Sequence, residues 1–309
     1  MLVRDIYLVR HTEGEVGIEI EAEGTDLPRK PLGWVVEHDG SLRGPDKNRT
    51  DDLSHACEYV LPAPVARDKV KEVLHNLEAA YEENDSQVAN SYRCSTHVHI
   101  NVQELHMNQV YNFIVLYAMF EEFLVQYCGE ERVGNLFCLR FQDAEAVIPA
   151  LIYSARYGQF RHLGSDKLRY SALNVASMAK YGSLEFRAMR GTREMEEIET
   201  WVKLLLCLKD TAVKYERPQD LVAEMSVLGA EGLARKTFGG LVNNLPLEHD
   251  WEEIVWRNMR EVQDLAYCSP WENNEKEKEL IKEAVVKNAP DLDEEQEYLL
   301  QEERLWDNV

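Results

Sequence analysis

The sequence predicts an α+β fold in which an antiparallel sheet is covered by helices and followed by a helical C-terminal extension. The first observation is that segments with strand patterning lie before Met189, whereas the patterns after Arg217-Pro218 are helical. The second is that several strand segments alternate apolar and polar residues, as in a sheet with one face on the core and the other open. No internal repeat or low-complexity linker interrupts the chain.

Composition restricts the function classes. The 309 residues carry a formal net charge of -22, which disfavours binding to nucleic acid or to anionic membrane. No apolar run approaches the roughly 20 residues needed to cross a bilayer, and the N-terminus lacks the apolar region of a signal peptide. The sequence therefore predicts a cytoplasmic protein without a membrane span. Six scattered cysteines without a Cys-x-x-Cys pair indicate buried free thiols.

The elements follow from periodicity. Strands are predicted at residues 5–9, 17–23, 34–37, 57–61, 96–102, 170–176 and 183–189. An Asp39-Gly40 turn predicts a hairpin, with a return strand beginning at 39–42. Helices are predicted at residues 66–83, 107–127, 143–157, 194–215, 219–228, 251–266, 275–287 and 294–306.

The strand at 17–23 carries the first candidate site residues. Side chains alternate along a strand, so Glu19, Glu21 and Glu23 share one face, with same-face neighbours roughly 6–7 Å apart. Carboxylates at that spacing repel each other unless cations lie between them. The same alternation returns at 58–61, 97–102 and 183–187, which predicts a polar face of Glu, His, Asn and Arg over an apolar underside.

These residues are of the type that binds hard cations. Glu19, Glu21, Glu58 and Glu185 supply oxygen ligands and His99 could add one nitrogen, a set that suits Mg²⁺ or Mn²⁺ better than zinc or copper. Taken singly, each segment has a simpler interpretation: a solvent-facing edge strand, surface imidazoles or a cross-strand ion pair. The recurrence of the pattern in all four favours a metal site.

A short segment, Tyr7-Leu8-Val9-Arg10-His11-Thr12-Glu13, resembles the opening signature of histidine phosphatases. In that family the His is phosphorylated and flanking Arg residues hold the phosphate. The family usually has Gly where this chain has Thr12, and its second Arg motif and late second His have no counterpart at a sensible position. A first strand running into a polar turn is the favoured interpretation.

A longer ordered set of motifs resembles the amidoligase family, carboxylate–amine ligases of the glutamine synthetase and glutamate–cysteine ligase superfamily. The set spans about residues 17–201. The motifs are Gly-Ile-Glu-Ile-Glu, Asp-Gly-Ser, Glu-Tyr-Val-Leu-Pro, His-Val-His-Ile-Asn, a helix ending in Glu, an Arg-rich loop, Tyr-Ser-Ala-Leu-Asn and Ser-Leu-Glu-Phe-Arg. The resemblance implies a curved antiparallel sheet whose concave face binds ATP and two or more Mg²⁺ ions (Mn²⁺ being possible). Together with the helical pattern of the tail, it predicts a catalytic domain at 1–245 and an acidic helical extension at 246–309.

The resemblance also implies roles for individual residues. The implied metal ligands are Glu19, Glu21, Glu58, His99 and Glu185. Arg187 would contact phosphate, and with Glu185 it is the implied catalytic pair. Further candidates for contacts to ATP are Arg132 and Arg140, as phosphate clamps, and Asn101 and Asn174, as residues that orient substrate or metal-bound water.

The implied reaction forms an amide through an acyl phosphate, and its partners are a small-molecule or peptide carboxylate and an amine. Two rivals stay open: a phosphotransferase on the same fold, and an acidic binding protein with a decayed ligase fold. Histidine phosphatase is a distant third, in which loss of His11 would abolish activity and loss of Glu21 would not. Neither the substrates nor the oligomeric state follow from the sequence.

Overall fold

The computed structural model describes residues 2–168, 170–247, 249–269 and 271. In these residues the chain forms a mixed α/β fold, with an open antiparallel sheet and helices packed on its apolar face. The strands are β1 (Val16–Thr25), β2 (Val35–Glu37), β3 (Ala56–Val60), β4 (Gln87–Val88), β5 (Ser95–Asn101), β6 (Leu173–Asn174) and β7 (Ser183–Arg190). The helices are α1 (Val3–Tyr7), α2 (Val70–Glu83), α3 (Met107–Tyr127), α4 (Val147–Tyr157), α5 (Ser177–Tyr181), α6 (Met195–Ala212), α7 (Pro218–Phe238) and α8 (Trp251–Tyr267).

The strand order is β2-β3-β1-β5-β7-β6, with β4 paired to the end of β1. This order places the four strands with alternating polarity side by side. In the antiparallel register Glu21 lies opposite Glu58, and Glu19 lies opposite His97. His99 in turn lies opposite Glu185. Directly opposed residues of antiparallel strands have close side chains, so the register gathers the polar residues at the middle of the sheet.

The other face of the sheet is covered by α2, α3 and α6. Phe186 of β7 packs against Phe113 of α3 and Trp201 of α6, with ring centroids 5.5 and 6.4 Å apart. Tyr59 of β3 packs edge-on against Tyr81 of α2. Aromatic side chains at alternate strand positions therefore point into the core, which leaves the carboxylates and imidazoles on the opposite face.

Two predictions about the N-terminal third are wrong. Residues 5–9 are not a strand, because Val3 and Ile6 are buried at helical spacing and form one side of α1. The return strand at 39–42 is absent: the Asp39 carboxylate accepts the Ser41 N–H at 2.6 Å in a local turn. The predicted strand at 34–37 does form, as β2, but it pairs with the distant β3 instead.

Helix α7 is longer than the periodicity of the sequence predicted. Helix α7 continues past the predicted end at residue 228 to Phe238, across a kink at Gly229 whose φ of 71° suits glycine. Helix α8 closely matches the predicted 251–266, and packs on α3, where Asn258 donates to the Met119 carbonyl at 3.2 Å. The helices predicted at 275–287 and 294–306 lie outside the described residues. The domain division at residue 245 stays a prediction.

The six cysteines are free, as predicted; four of them are buried and two are only partly buried. In the described part of the chain no helix combines the length and apolarity that a membrane span requires.

Candidate active site

The polar face of the sheet holds a cluster that we call the polar floor: Glu19, Glu21, Glu58, His97, His99, Glu185 and Arg187. Glu19 is at its centre. One carboxylate oxygen of Glu19 (Oε2) lies 3.2 Å from Nδ1 of His97, and the other (Oε1) lies 3.4 Å from Nε2 of His99. The two imidazoles reach the same carboxylate because they stand two residues apart on β5, on the same face.

Two groups of possible metal ligands share Glu19. The first consists of Glu19, His99 and Glu185, and the second of Glu19, Glu58 and His97. In each group, one ligand atom per residue lies within 4.8 Å of the others. A carboxylate with two oxygens can face two cations at once, so the geometry suits a pair of neighbouring cations bridged by Glu19.

Glu185 is held by neighbours on its own side of the sheet. Its Oε2 accepts a hydrogen bond from Asn174 Nδ2 at 2.8 Å, and its Oε1 accepts one from the Arg187 guanidinium at 2.5 Å. The same Oε1 lies 3.7 Å from Nδ1 of His97. Glu185 is 6% exposed, so these contacts fix a carboxylate that water hardly reaches.

The electrostatics of the floor depend on the balance of burial and neighbouring charge. Burial alone would raise the pKa of Glu19, but the neighbouring imidazoles of His97 and His99 outweigh it and hold that pKa well below the usual range. Burial likewise opposes a lowered pKa at Glu185, where His99, His97 and Arg187 still bring it down. The pKa of His99 is raised, because its two carboxylate neighbours outweigh its burial.

Glu58 is the exception among the floor carboxylates. Burial, followed by the negative charges of Glu19 and Glu21, raises its pKa to about 8. Among the described residues Glu58 forms no ion pair, whereas Glu185 lies within ion-pair distance of His97 and Arg187. Glu58 is therefore mostly protonated at neutral pH, and a bound divalent cation would favour its charged form.

A buried atom of His99 supports the fit of the floor to a metal. Nε2 of His99 is buried and has no hydrogen-bond partner among the described residues, although it faces the Glu19 carboxylate. Buried polar atoms normally have a partner. The set of carboxylate oxygens and imidazole nitrogens around it is a donor set that Mg²⁺ and Mn²⁺ accept.

Glu21, a predicted metal ligand, lies outside both ligand groups. Its Oε2 accepts the backbone N–H of Ser95 and the Ser95 hydroxyl, each at 2.7 Å. Glu23, on the same face, is paired with Arg93 at 3.1 Å and accepts the Arg43 N–H. The carboxylate stripe of β1 thus has three different environments along its length.

The structure does not bring the two predicted phosphate clamps to the floor side chains. Arg132 is 2% exposed and its guanidinium donates to the backbone carbonyls of Ala188 and Arg187 at 2.9 and 3.0 Å, which binds its loop to β7. Arg140 pairs with Asp143 at 3.1 Å and lies 3.8 Å from Glu122 of α3, on the helical side.

The two asparagines predicted to orient substrate or metal-bound water have different contacts. Asn174 lies on the floor through its bond to Glu185. Asn101 instead holds the preceding loop: its amide donates to the Gly14 carbonyl at 2.7 Å, and its oxygen accepts the Gln103 N–H at 2.9 Å.

Sequence reasoning missed His97 as a candidate ligand and Ser95 as its hydrogen-bond partner. The strand period could have identified them, because residues 95, 97 and 99 are each two positions apart on one strand and therefore point to the same face.

The family comparison agrees with the motif analysis. The family model described as "Putative amidoligase enzyme" matches residues 21–209, from within β1 to within α6. No curated protein matches the chain. The matched region contains Glu21, Glu58, His97, His99, Glu185 and Arg187, and Glu19 precedes it by two residues. The chain belongs to the amidoligase family.

Proposed function

We propose that the protein is an ATP- and Mg²⁺-dependent ligase that joins a carboxylate to an amine through an acyl phosphate. The observation that carries this proposal is the polar floor itself, with two ligand groups bridged by Glu19 and an arginine beside them, in a chain of the amidoligase family. The acid would be a small molecule or a peptide. The net charge of -22 argues against nucleic acid as a partner.

The proposed chemistry has two balanced steps. In the first, an oxygen of the substrate carboxylate attacks the γ-phosphorus of ATP, the bond to the β-phosphate oxygen breaks, and ADP leaves. In the second, the amine nitrogen attacks the acyl carbon, phosphate leaves, and the nitrogen loses a proton to give the amide. Phosphoryl transfer needs positioning and charge neutralisation more than covalent help.

The floor residues suit these needs. Glu19, Glu58, His99 and Glu185 would hold the cations, and bound divalent cations would neutralise charge on the transferred phosphoryl group. Arg187 is anchored through its bond to Glu185, while its Nε is buried and unpartnered among the described residues. That N–H is available to a phosphate oxygen, and a donor fixed before reaction stabilises developing charge without reorganisation. Asn174 keeps the Glu185 carboxylate in place.

A hydroxamate trap tests the proposal. The full chain is incubated with Mg-ATP, hydroxylamine as the amine, and pools of carboxylates that include amino acids and short peptides; mass spectrometry detects hydroxamates and an enzymatic assay detects ADP. We expect a hydroxamate whose yield falls about 10²–10³-fold in Glu185→Gln. Glu121→Gln, which alters an equally buried carboxylate outside the floor, is the matched control and should retain the yield.

The alternatives give different results. ADP release without hydroxamate would indicate a phosphotransferase that stops after the first step. Absence of Mg-ATP binding would indicate a binding protein on a decayed ligase fold. Equal loss in Glu185→Gln and Glu121→Gln would mean that the loss of yield is not specific to the polar floor.

A further inference from the structure

The orientation of His97 is set by a buried chain of three side chains. The Ser95 hydroxyl lies 2.7 Å from Oε2 of Glu21 and 2.8 Å from Nε2 of His97. On the other side of the ring, Nδ1 of His97 lies 3.2 Å from Glu19 and 3.7 Å from Glu185. Ser95, His97 and Glu21 are all buried, so water does not compete for these bonds.

The proton positions in this chain follow from counting donors. The Glu21 oxygen already accepts the Ser95 backbone N–H at 2.7 Å, and a carboxylate can only accept. The single hydroxyl hydrogen of Ser95 is therefore directed to Glu21, and Ser95 offers a lone pair to His97. Nε2 of His97 must then carry a hydrogen. Nδ1 faces the Glu19 and Glu185 carboxylates, so without a cation it donates a hydrogen to Glu19, and a bound cation would take the place of that hydrogen at Nδ1.

We infer that His97 is a metal ligand through Nδ1, that Ser95 and Glu21 position it, and that the resulting centre selects Mn²⁺ over Mg²⁺. The inference rests on the cation site of the proposed function, but not on its reaction. Nδ1 of His97 and Nε2 of His99 approach opposite oxygens of Glu19, so each of the two ligand groups offers one imidazole nitrogen. Mg²⁺ favours oxygen ligands, whereas Mn²⁺ takes nitrogen more readily.

The inference gives Glu21 a role different from the predicted one. Glu21 acts on the metal through Ser95 and His97 and is a positioning residue. Partners that orient a ligating imidazole typically change metal affinity 10–100-fold when removed.

The first test compares donor atoms at one position. In His97→Asn the amide oxygen can occupy the place of Nδ1, so a nitrogen ligand is exchanged for oxygen. Binding of Mn²⁺ alone to the full chain is measured by electron paramagnetic resonance, and Mg²⁺ affinity by competition. We expect the wild type to prefer Mn²⁺, and His97→Asn to lose about 10-fold or more of that preference with little change in Mg²⁺ affinity. Equal wild-type affinities, or an unchanged ratio in His97→Asn, would overturn the inference.

The second test addresses positioning. Ser95→Ala should weaken Mn²⁺ binding about 10-fold, and Ser95→Thr, which restores a hydroxyl, should recover it. Ser154→Ala is the matched control, because Ser154 is a fully buried serine in α4 outside the floor. Wild-type Mn²⁺ affinity in Ser95→Ala would overturn the positioning role, as would an equal loss in Ser154→Ala.

These measurements use neither ATP nor an acid. Selective Mn²⁺ binding without hydroxamate formation would refute the proposed ligase and leave this inference standing. Hydroxamate formation by a protein that binds Mn²⁺ and Mg²⁺ equally well would support the proposed ligase and refute this inference.

Discussion

Glu185 and Glu121 are two buried carboxylates with opposite electrostatics. They are 6% and 5% exposed, so their burial is matched. The pKa of Glu185 is lowered despite that burial, because His99, His97 and Arg187 surround it. The pKa of Glu121 is raised by burial to about 8. The difference shows that on this fold the neighbours, and not the depth, decide whether a buried acid is charged.

The surroundings of Glu121 explain its pKa. It lies at a small cavity between α3 and α8, lined in part by Phe141, Ile148 and Val262. Its Oε2 accepts the Phe141 N–H at 2.8 Å, while Oε1 has no hydrogen-bond partner among the described residues. Arg140, whose charge acts to lower the pKa of Glu121, is directed to Asp143 and Glu122 and does not outweigh burial. A neutral carboxyl group is the favoured form there.

The largest expected effect on stability is that of replacing Glu185 in the metal-free protein. Glu185→Gln removes the negative charge beside two imidazoles and a guanidinium, and we expect it to lower the free energy of unfolding by about 3–5 kcal/mol at pH 7. Since the folded pKa of Glu185 is lowered, its charge stabilises the fold above the ordinary pKa near 4.5, and that contribution is lost as pH falls. Urea unfolding at pH 7 and at pH 4 measures both; an equal difference at the two values would contradict this account.

Glu121→Gln is expected to raise the free energy of unfolding at pH 8, by about 1–2 kcal/mol. The folded pKa near 8 exceeds the ordinary value of 4.5, so between these values the unfolded state releases a proton that the folded state retains. Wild-type stability attributable to Glu121 therefore falls as pH rises from about 4.5 to 8. Glutamine keeps an acceptor for the Phe141 N–H and carries no charge, so the variant should be more stable than the wild type at pH 8 and similar at pH 4.5, as measured by urea unfolding. A variant less stable at pH 8 would refute the neutral state of Glu121.

The contrast between these regions also shows what the sequence could reveal. The two-residue period of β1, β3, β5 and β7 is local, so Glu19, Glu58, His99 and Glu185 were predicted to share a face, and the structure places them together. Their roles stay predictions. The loop arginines could not be placed in this way. Arg132 reaches the β7 carbonyls from a loop more than 50 residues away in sequence, and its burial depends on the packing of the whole sheet.

The sequence also did not reveal which strands pair or which charged residues meet. The turn at Asp39 was readable from two residues, but the pairing of β2 with β3 depends on a segment about 20 residues on. Glu121 and Glu122 are adjacent on α3, yet one is buried at the cavity and the other pairs with Arg257 at 2.8 Å. Periodicity predicts which face a residue occupies, and it does not predict which charge it will meet there.

The smallest expected effect distinguishes Glu58 from Glu121, whose pKa values are both raised to about 8. Burial is the main cause in each, but Glu58 is also raised by Glu19 and Glu21, the charges that a cation on the floor would neutralise. Binding of a divalent cation should therefore lower the pKa of Glu58 and leave that of Glu121 unchanged. At pH 7 a group with a pKa near 8 is mostly protonated, so Glu58 should release about 0.9 proton when the cation binds, falling to about 0.1 at pH 9.

Calorimetric titration of Mn²⁺ in buffers of different ionisation enthalpy counts the released protons. The imidazoles contribute as well, since the pKa of His99 is raised, so the number that matters is the difference between wild type and variant. Glu58→Gln should release about one proton fewer than wild type at pH 7, whereas Glu121→Gln should release the same number. Equal release by wild type and Glu58→Gln would place the cation away from Glu58, and the second ligand group would then have to be abandoned while the first, around His99 and Glu185, remained.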